Sequence, residues 1–314
     1  MKKSTRFLSV LLAVMLVMSM FAGFAAYAAD VPSAADQAAM TDHHAVAGFE
    51  GINNFRDLGG YYTADGAYQI KYGLLFRSAN LHDATAADIA KLQDMGVSKV
   101  IDLRMAVERL TKSNKTVPGA EYVANSLLFL PNPFVITMDD FAATLKAVKS
   151  GVMDTYMSNM YRQMIADPVA IHATKVFFQK LIEANGSPVL WHCTSGKDRT
   201  GTEAMFLMTI LGCDPDVIRA EYLNTNYFMQ AKAQEKYDTA YKYTHMKWIA
   251  NEFYKYELVS EDWYNLEQNV LARYGGVEAY LHNVVGLSDQ DFQTLRDIYL
   301  EPAAVQTAAL APAA

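Results

Sequence analysis

Apolar residues along this chain follow two spacings, and the changes between them outline its elements. Residues 61–76 alternate around Asp65-Gly66, a turn pair that predicts two strands folded back on each other. Residues 85–95 place Ile89, Leu92 and Met95 at helical spacing, and Gly96 ends that helix. Two short apolar runs follow, at 98–103 and 120–130, the second closed by Pro131 and Pro133; both read as strands. Amphipathic helices are expected over 139–151, 153–165 and 169–185, a buried strand over 188–192, and an apolar helix over 200–211 that stops at Gly212. From Pro215 onward the pattern is helical throughout. Strands and helices alternate first and helices finish, which defines an α/β class with a central sheet and a helical C-terminal half.

The first residues stand apart from this pattern. Lys2, Lys3 and Arg6 precede an apolar run from Phe7 to Ala22, and Ala26-Tyr27-Ala28 supplies small residues for cleavage. Residues 1–28 are thus expected to be a secretory signal peptide cut after Ala28, rather than a retained membrane anchor. Residues 29–46 read as a flexible leader, 47–302 as one folded domain and 303–314 as a disordered tail. On this reading the mature protein is secreted or held in the cell envelope, with no stable membrane insertion. Loss of Lys2, Lys3 and Arg6 takes the formal charge from −7 to −10. So acidic a chain, without basic runs, argues against nucleic acid and against anionic membrane surfaces as partners. The two cysteines, Cys193 and Cys213, are separated by a helix about 20 Å long, too far for a disulfide.

The chemistry concentrates in His192-Cys193-Thr194-Ser195-Gly196-Lys197-Asp198-Arg199-Thr200-Gly201, between the buried strand and the apolar helix. A loop leading from a strand into a helix N-terminus aims several backbone N–H groups at one point, and the helix dipole adds to them. Such a point favours an anion, a thiolate included. With Arg six positions after Cys, the loop can wrap a phosphate, the sulfur beneath it and the guanidinium gripping two oxygens. Gly196 lets the loop turn. The Thr200 hydroxyl can hydrogen-bond the sulfur as a leaving group.

This loop resembles that of protein tyrosine phosphatases, and within them the bacterial secreted group with tyrosine, dual-specificity and phosphoinositide activity. Further matches are Asn54-Phe55-Arg56-Asp57-Leu58-Gly59-Gly60, Leu75-Phe76-Arg77-Ser78-Ala79-Asn80-Leu81, Val100-Ile101-Asp102-Leu103-Arg104 with Glu108, and Tyr274-Gly275-Gly276. The resemblance spans about residues 48–300 and implies the cysteine-phosphatase fold, a mainly parallel twisted sheet flanked by helices. It also implies two-step phosphoryl transfer without metal or cofactor: Cys193 attacks phosphorus, and water hydrolyses the cysteinyl-phosphate. Arg199 and the loop from Thr194 through Ser195, Gly196 and Lys197 to Thr200 and Gly201 would hold the phosphate oxygens. The implied substrates are phosphorylated proteins and phosphoinositides.

The leaving oxygen needs a proton. Many tyrosine phosphatases carry that acid on a Trp-Pro-Asp loop, whereas this chain has Pro131-Asn132-Pro133-Phe134. Asp198 is the first candidate, Asp102 the second, and Asp139 with Asp140 the third. Lys197 adds charge to the pocket or faces solvent. Arg56, Asp57, Arg77, Arg104 and Glu108, charged residues within apolar or glycine-rich runs, are expected to brace the cysteine loop through buried ion pairs; Asp102 belongs with them. His192 orders the loop by hydrogen bonding. Asp42-His43-His44 lies in the leader and is discounted as a metal site. The Met-rich segment 134–165 is core filler or a lid that shields the thiolate. The alternatives are a pseudophosphatase that binds without turnover and a loop-cysteine sulfurtransferase or arsenate reductase.

Overall fold

The computed structural model describes Gln37 and residues 44–128 and 141–303. The proposed signal peptide, most of the leader, the C-terminal tail, Asn132, Asp139 and Asp140 lie outside these residues.

Five strands form the central sheet in the order β1 (Arg56–Asp57), β3 (Leu75–Ser78), β6 (Val189–His192), β4 (Lys99–Asp102) and β5 (Glu121–Ala124). All neighbours are parallel except the edge pair β1 and β3, so the mainly parallel α/β sheet expected from the sequence is present. Strand β6 is central and buried along its whole length, as parallel strands covered on both faces are. Side-chain alternation sorts the strands into two cores. Phe76, Val100 and Leu190 face one cluster with Leu81, Leu92 and Val97. Leu75, Ile101, Val189 and Trp191 face the larger cluster, where the Trp191 ring meets Phe177 edge-on at 5.5 Å.

Helix α1 (Ala86–Asp94) opens with a capping box between Thr85 and Asp88. The short α2 (Ala106–Thr111), which the periodicity did not predict, carries Glu108. Helices α3 (Phe141–Ser150), α4 (Met153–Ala166) and α5 (Pro168–Ala184) precede β6, and α6 (Asp198–Ile210) follows it. Helix α6 starts two residues before the expected Thr200, which places Asp198 and Arg199 in its first turn. The remainder is α7 (Pro215–Leu223), α8 (Thr225–Thr244), α9 (Lys247–Glu257), α10 (Glu261–Ala272), α11 (Val277–Tyr280) with a π turn at Leu281–Val285, and α12 (Asp289–Tyr299).

Two strand expectations need correction. Among the described residues of the run at 120–130 the strand covers Glu121–Ala124; Asn125 and Leu127 still donate to the Asp102 and Leu103 carbonyls, while the Asn125 side chain turns to the Ala173 carbonyl. The C-terminal half is not wholly helical: β7 (Leu300–Pro302) pairs antiparallel with β2 (Tyr68–Ile70), the second arm of the Asp65-Gly66 hairpin. Three residues ending in proline carry too little alternation to read as a strand. Cys193 and Cys213 are both buried and unpaired.

Candidate active site

Strand β6 ends at His192, Cys193 to Lys197 form the loop, and α6 begins at Asp198. The loop is held from behind by its carbonyls. Asn80 donates to the Thr194 carbonyl from both its backbone and its Nδ2 (3.1 and 2.8 Å). Asn54 Nδ2 reaches the carbonyls of Ser195 and Gly196, each at 2.9 Å. Arg77 Nη2 adds bonds to Gly196 (2.9 Å) and Lys197 (3.4 Å). In a trans peptide the N–H points opposite to the C=O. The amides of Ser195, Gly196, Lys197 and Asp198 are thereby turned away from this wall. Gly196 has φ +68, and a Cβ there would lie 2.2 Å from the Ser78 carbonyl oxygen, so its close approach is to β3.

Behind this layer Glu221 of α7 bridges two arginines, Arg56 Nε and Arg77 Nη1, each at 2.7 Å. Arg56 also bonds the Asn54 side chain and the Thr225 hydroxyl. All three charges are buried. Burial and the adjacent Arg56 pull Arg77 down to about 10, against the pull of Glu221. Burial alone would raise Glu221, yet the two guanidiniums hold it below the ordinary carboxylate value.

On the pocket side Arg199 makes a two-pronged ion pair with Glu108 (2.6 and 2.9 Å) and touches the Thr194 hydroxyl. Burial opposes ionisation of Glu108, and Arg199 overrides it, holding the carboxyl at about 2. The same pairing raises Arg199 in spite of its own burial. Arg199 Nε has no partner among the described residues. The Asp198 carboxylate accepts from Tyr161 (2.7 Å) and from Lys197 (3.0 Å). Lys197 is buried, with its ammonium 5.4 Å from the Trp263 ring centroid, and does not face solvent. Burial and Asp198 push the Tyr161 hydroxyl well above its usual value.

Cys193, Thr194, Ser195, Lys197, Asp198 and Arg199 line one pocket together with Glu108, Met105 and Leu128. Tyr156, Met157 and Met160 of α4 line it on the side away from the carbonyl-holding residues. The cavity left is about 40 Å³, room for a few waters but not for a phosphorylated side chain. Two larger cavities lie elsewhere, beside β5 and beside β2.

The other expected residues are placed as follows. Thr200 is buried, its hydroxyl has no partner among the described residues, and its carbonyl accepts from Trp191 Nε1. Gly201 backs onto Tyr222 and Arg77 rather than the pocket. His192 Nδ1 lies 2.9 Å from the Cys193 carbonyl and Nε2 lies 2.7 Å from Asn114. Burial lowers its pKa, against the attraction of Asp102. Asp102 grips Arg104 with both oxygens (2.9 and 2.7 Å) and accepts from Tyr122. These partners overcome burial and hold it at about 2, so Asp102 is an anion behind the sheet end and not a proton donor at the pocket. Asp57 does not brace the cysteine loop: it caps the amides of Gly59 and Gly73 (2.8 and 2.6 Å), fixing the turns that flank β2.

Sequence reasoning singled out neither Asn54, Asn80, Tyr161 nor Glu221. Asn54 and Asn80 lie within the motifs that carry the family resemblance; Asn54 has a positive φ, which asparagine adopts more readily than most residues, and only the Asn type hints at that in the sequence. Glu221 and Tyr161 occupy ordinary helical positions and gave no such hint.

The model of the tyrosine phosphatase family matches residues 47–301, and the chain belongs to that family. A Cupriavidus necator protein, provisionally named a tyrosine-protein phosphatase, is 34% identical over 196 residues, 62% of this chain and 68% of its own. The triple specificity protein phosphatase PtpB of Mycobacterium tuberculosis is 32% identical over 202 residues, 58% of this chain and 70% of its own. Among solved structures, TpbA of P. aeruginosa aligns over 65% of this chain and 89% of its own at 15% identity, with a TM-score of 0.30.

Proposed function

We propose that this protein hydrolyses phosphate monoesters, phosphotyrosine first among them, through a cysteinyl-phosphate on Cys193. One observation carries the reading: Cys193, Asp198 and Arg199 converge on one pocket at the N-terminus of α6, and the loop's amides face away from the wall that holds its carbonyls. In the first step the Cys193 thiolate attacks phosphorus in line. The S–P bond forms, the P–O bond to the leaving group breaks, and Asp198 gives its proton to the departing oxygen. Arg199 and the loop amides hold the equatorial oxygens, where charge sits in the transition state. In the second step Asp198 takes a proton from water as the water oxygen attacks phosphorus. Cys193 leaves as thiolate, accepting a hydrogen bond from Thr200.

Finer points belong to the same reading. Residues 47–302 form the catalytic domain, and residues 1–28 direct export. Lys197 in the pocket supports action on phosphoinositides, whose several phosphates call for added positive charge, and the breadth in PtpB's name is compatible with it. Helix α4 acts as a lid: Tyr156, Met157 and Met160 must move before a substrate can reach Cys193.

The test follows phosphate release from a phosphotyrosine peptide, a phosphoserine peptide and a phosphoinositide series, in EDTA, with Cys193→Ser beside the unaltered protein. Release that requires Cys193 and ignores EDTA supports the reading, and the series ranks the substrates. Binding without release would favour the pseudophosphatase. Asp198→Asn is expected to slow turnover about 10²–10⁴-fold for poor leaving groups; an unchanged rate removes Asp198 as the acid.

A further inference from the structure

Helices α8 and α9 turn back on each other at His245, which has φ +55. The turn carries Tyr241-Lys242-Tyr243-Thr244-His245-Met246-Lys247-Trp248, and all of these but Thr244 are exposed. Tyr243 is 67% exposed, Trp248 53% and Met246 46%. Large apolar side chains this open, and contiguous, are not what a solvated helical turn requires.

The charges there are as uneven as the apolar groups. No acidic residue occurs between Asp238 and Glu252, while Lys242 and Lys247 flank the aromatics. Neither lysine forms an ion pair among the described residues; Lys242 sits over the Tyr243 ring at 5.8 Å. In a chain whose net charge is −7 this turn is a local cationic, aromatic point. Tyr and Trp carry an apolar body with a polar tip, and Lys keeps its charge in water while its stem lies along apolar surface. That combination matches the headgroup level of a bilayer, where aromatic rings sit and anionic lipids attract lysine.

We propose that the α8–α9 turn docks this protein on anionic lipid bilayers, with Tyr241, Tyr243, Met246 and Trp248 entering the interface and Lys242 and Lys247 pairing with lipid headgroups. The far end of α9 lies at the phosphate loop, where Ser195 Oγ is 3.4 Å from Glu257. An 11-residue helix spans about 16 Å, so docking would bring the pocket to within that distance of the lipid surface. The overall acidity of the chain, which argues against membrane surfaces at large, does not apply at this turn. Docking needs no catalysis and so stands independently of the proposed phosphatase reaction.

The chain has an internal reporter. Of its three tryptophans, Trp191 and Trp263 are buried and Trp248 alone is open to solvent. The experiment mixes full-length Cys193→Ser protein with phosphatidylcholine vesicles, with and without phosphatidylglycerol, and reads tryptophan emission and co-sedimentation. Every arm keeps the apolar leader, so its contribution is common to all. The expected result is a blue shift and sedimentation with anionic vesicles, both lost at high salt. Lys242→Glu with Lys247→Glu should weaken binding at least about tenfold, and Tyr243→Ser with Trp248→Ser by a similar factor. In an otherwise unaltered protein the same pairs should leave turnover of a soluble phosphotyrosine peptide unchanged, showing that they fold. Equal sedimentation of all variants would assign binding to the leader and overturn the proposal. So would a blue shift that grows with protein concentration without vesicles, which would make the turn a self-association surface.

Discussion

The two walls of the catalytic pocket are built from opposite materials. The rear wall is ionic and saturated: Asn54, Asn80 and Arg77 hold four successive carbonyls, and Glu221 and Arg56 hold Arg77 and Asn54 in turn. The front wall is Tyr156, Met157 and Met160, side chains that adapt to irregular shapes and lose little on rearranging. A buried bidentate network has one good geometry, whereas a methionine face has many. The loop's carbonyls are therefore held in one geometry, whereas the methionine face leaves room to adapt.

The largest effect that tests this contrast is at Glu221. Glu221→Gln leaves Arg56 and Arg77 buried against each other without a counter-charge, and about 3–5 kcal/mol of stability should be lost in denaturant unfolding. A smaller loss would mean that the rear wall tolerates charge imbalance and is not the rigid side. Next is Asn54→Ala, which removes one donor from the Ser195 carbonyl and one of the two from the Gly196 carbonyl and should cost about 1–3 kcal/mol. It should also lower kcat more than it raises KM, because the amides drift from where transition-state charge develops.

A third test uses the acids beneath the pocket. Glu203 and Glu267 are fully buried; each accepts one threonine hydroxyl, from Thr174 and Thr202, and has one oxygen without a partner. Burial pushes both from 4.5 up to about 8. Between these values the folded chain keeps protons that the unfolded chain releases. The stability they confer is complete below about pH 4.5 and is lost as the pH climbs through about 8. Glu267→Gln should flatten the fall of Tm with pH across that window. The smallest effect is expected at the front: Met160→Leu should change stability by less than about 1.5 kcal/mol, and kcat/KM by no more than about threefold. A loss matching that of Asn54→Ala would erase the distinction between the walls.

What could be read in advance follows the same division. The strand–loop–helix unit is local, so its residue spacing located Cys193 and Arg199, while Asp198 followed from the family resemblance and the lack of an acid at Pro131-Asn132-Pro133. Arg56, Arg77 and Arg104 were legible as buried ions because a charge inside an apolar run needs a partner. The partners were not legible. Glu221 stands 165 residues from Arg56, and Asn54 stands 141 from Ser195; no periodicity records such distances. Asp57 shows the limit from the other side: its surroundings matched those of the bracing residues, but its neighbours are turn amides. Helix α2 and strand β7 were too short to carry a period of either kind.

The pairing of β2 with β7 has a bearing on how the chain comes to be folded at all. Gln69 and Glu301, joined by a side-chain hydrogen bond across that ladder, are 232 residues apart. The Asp65-Gly66 hairpin can form from neighbouring residues, but the outer partner of β2 comes from a distant part of the chain. Closing so long a loop makes this pairing a late and slow step of folding. Until that pairing forms, β2 is an open edge, available to chaperones or to a second copy of the chain.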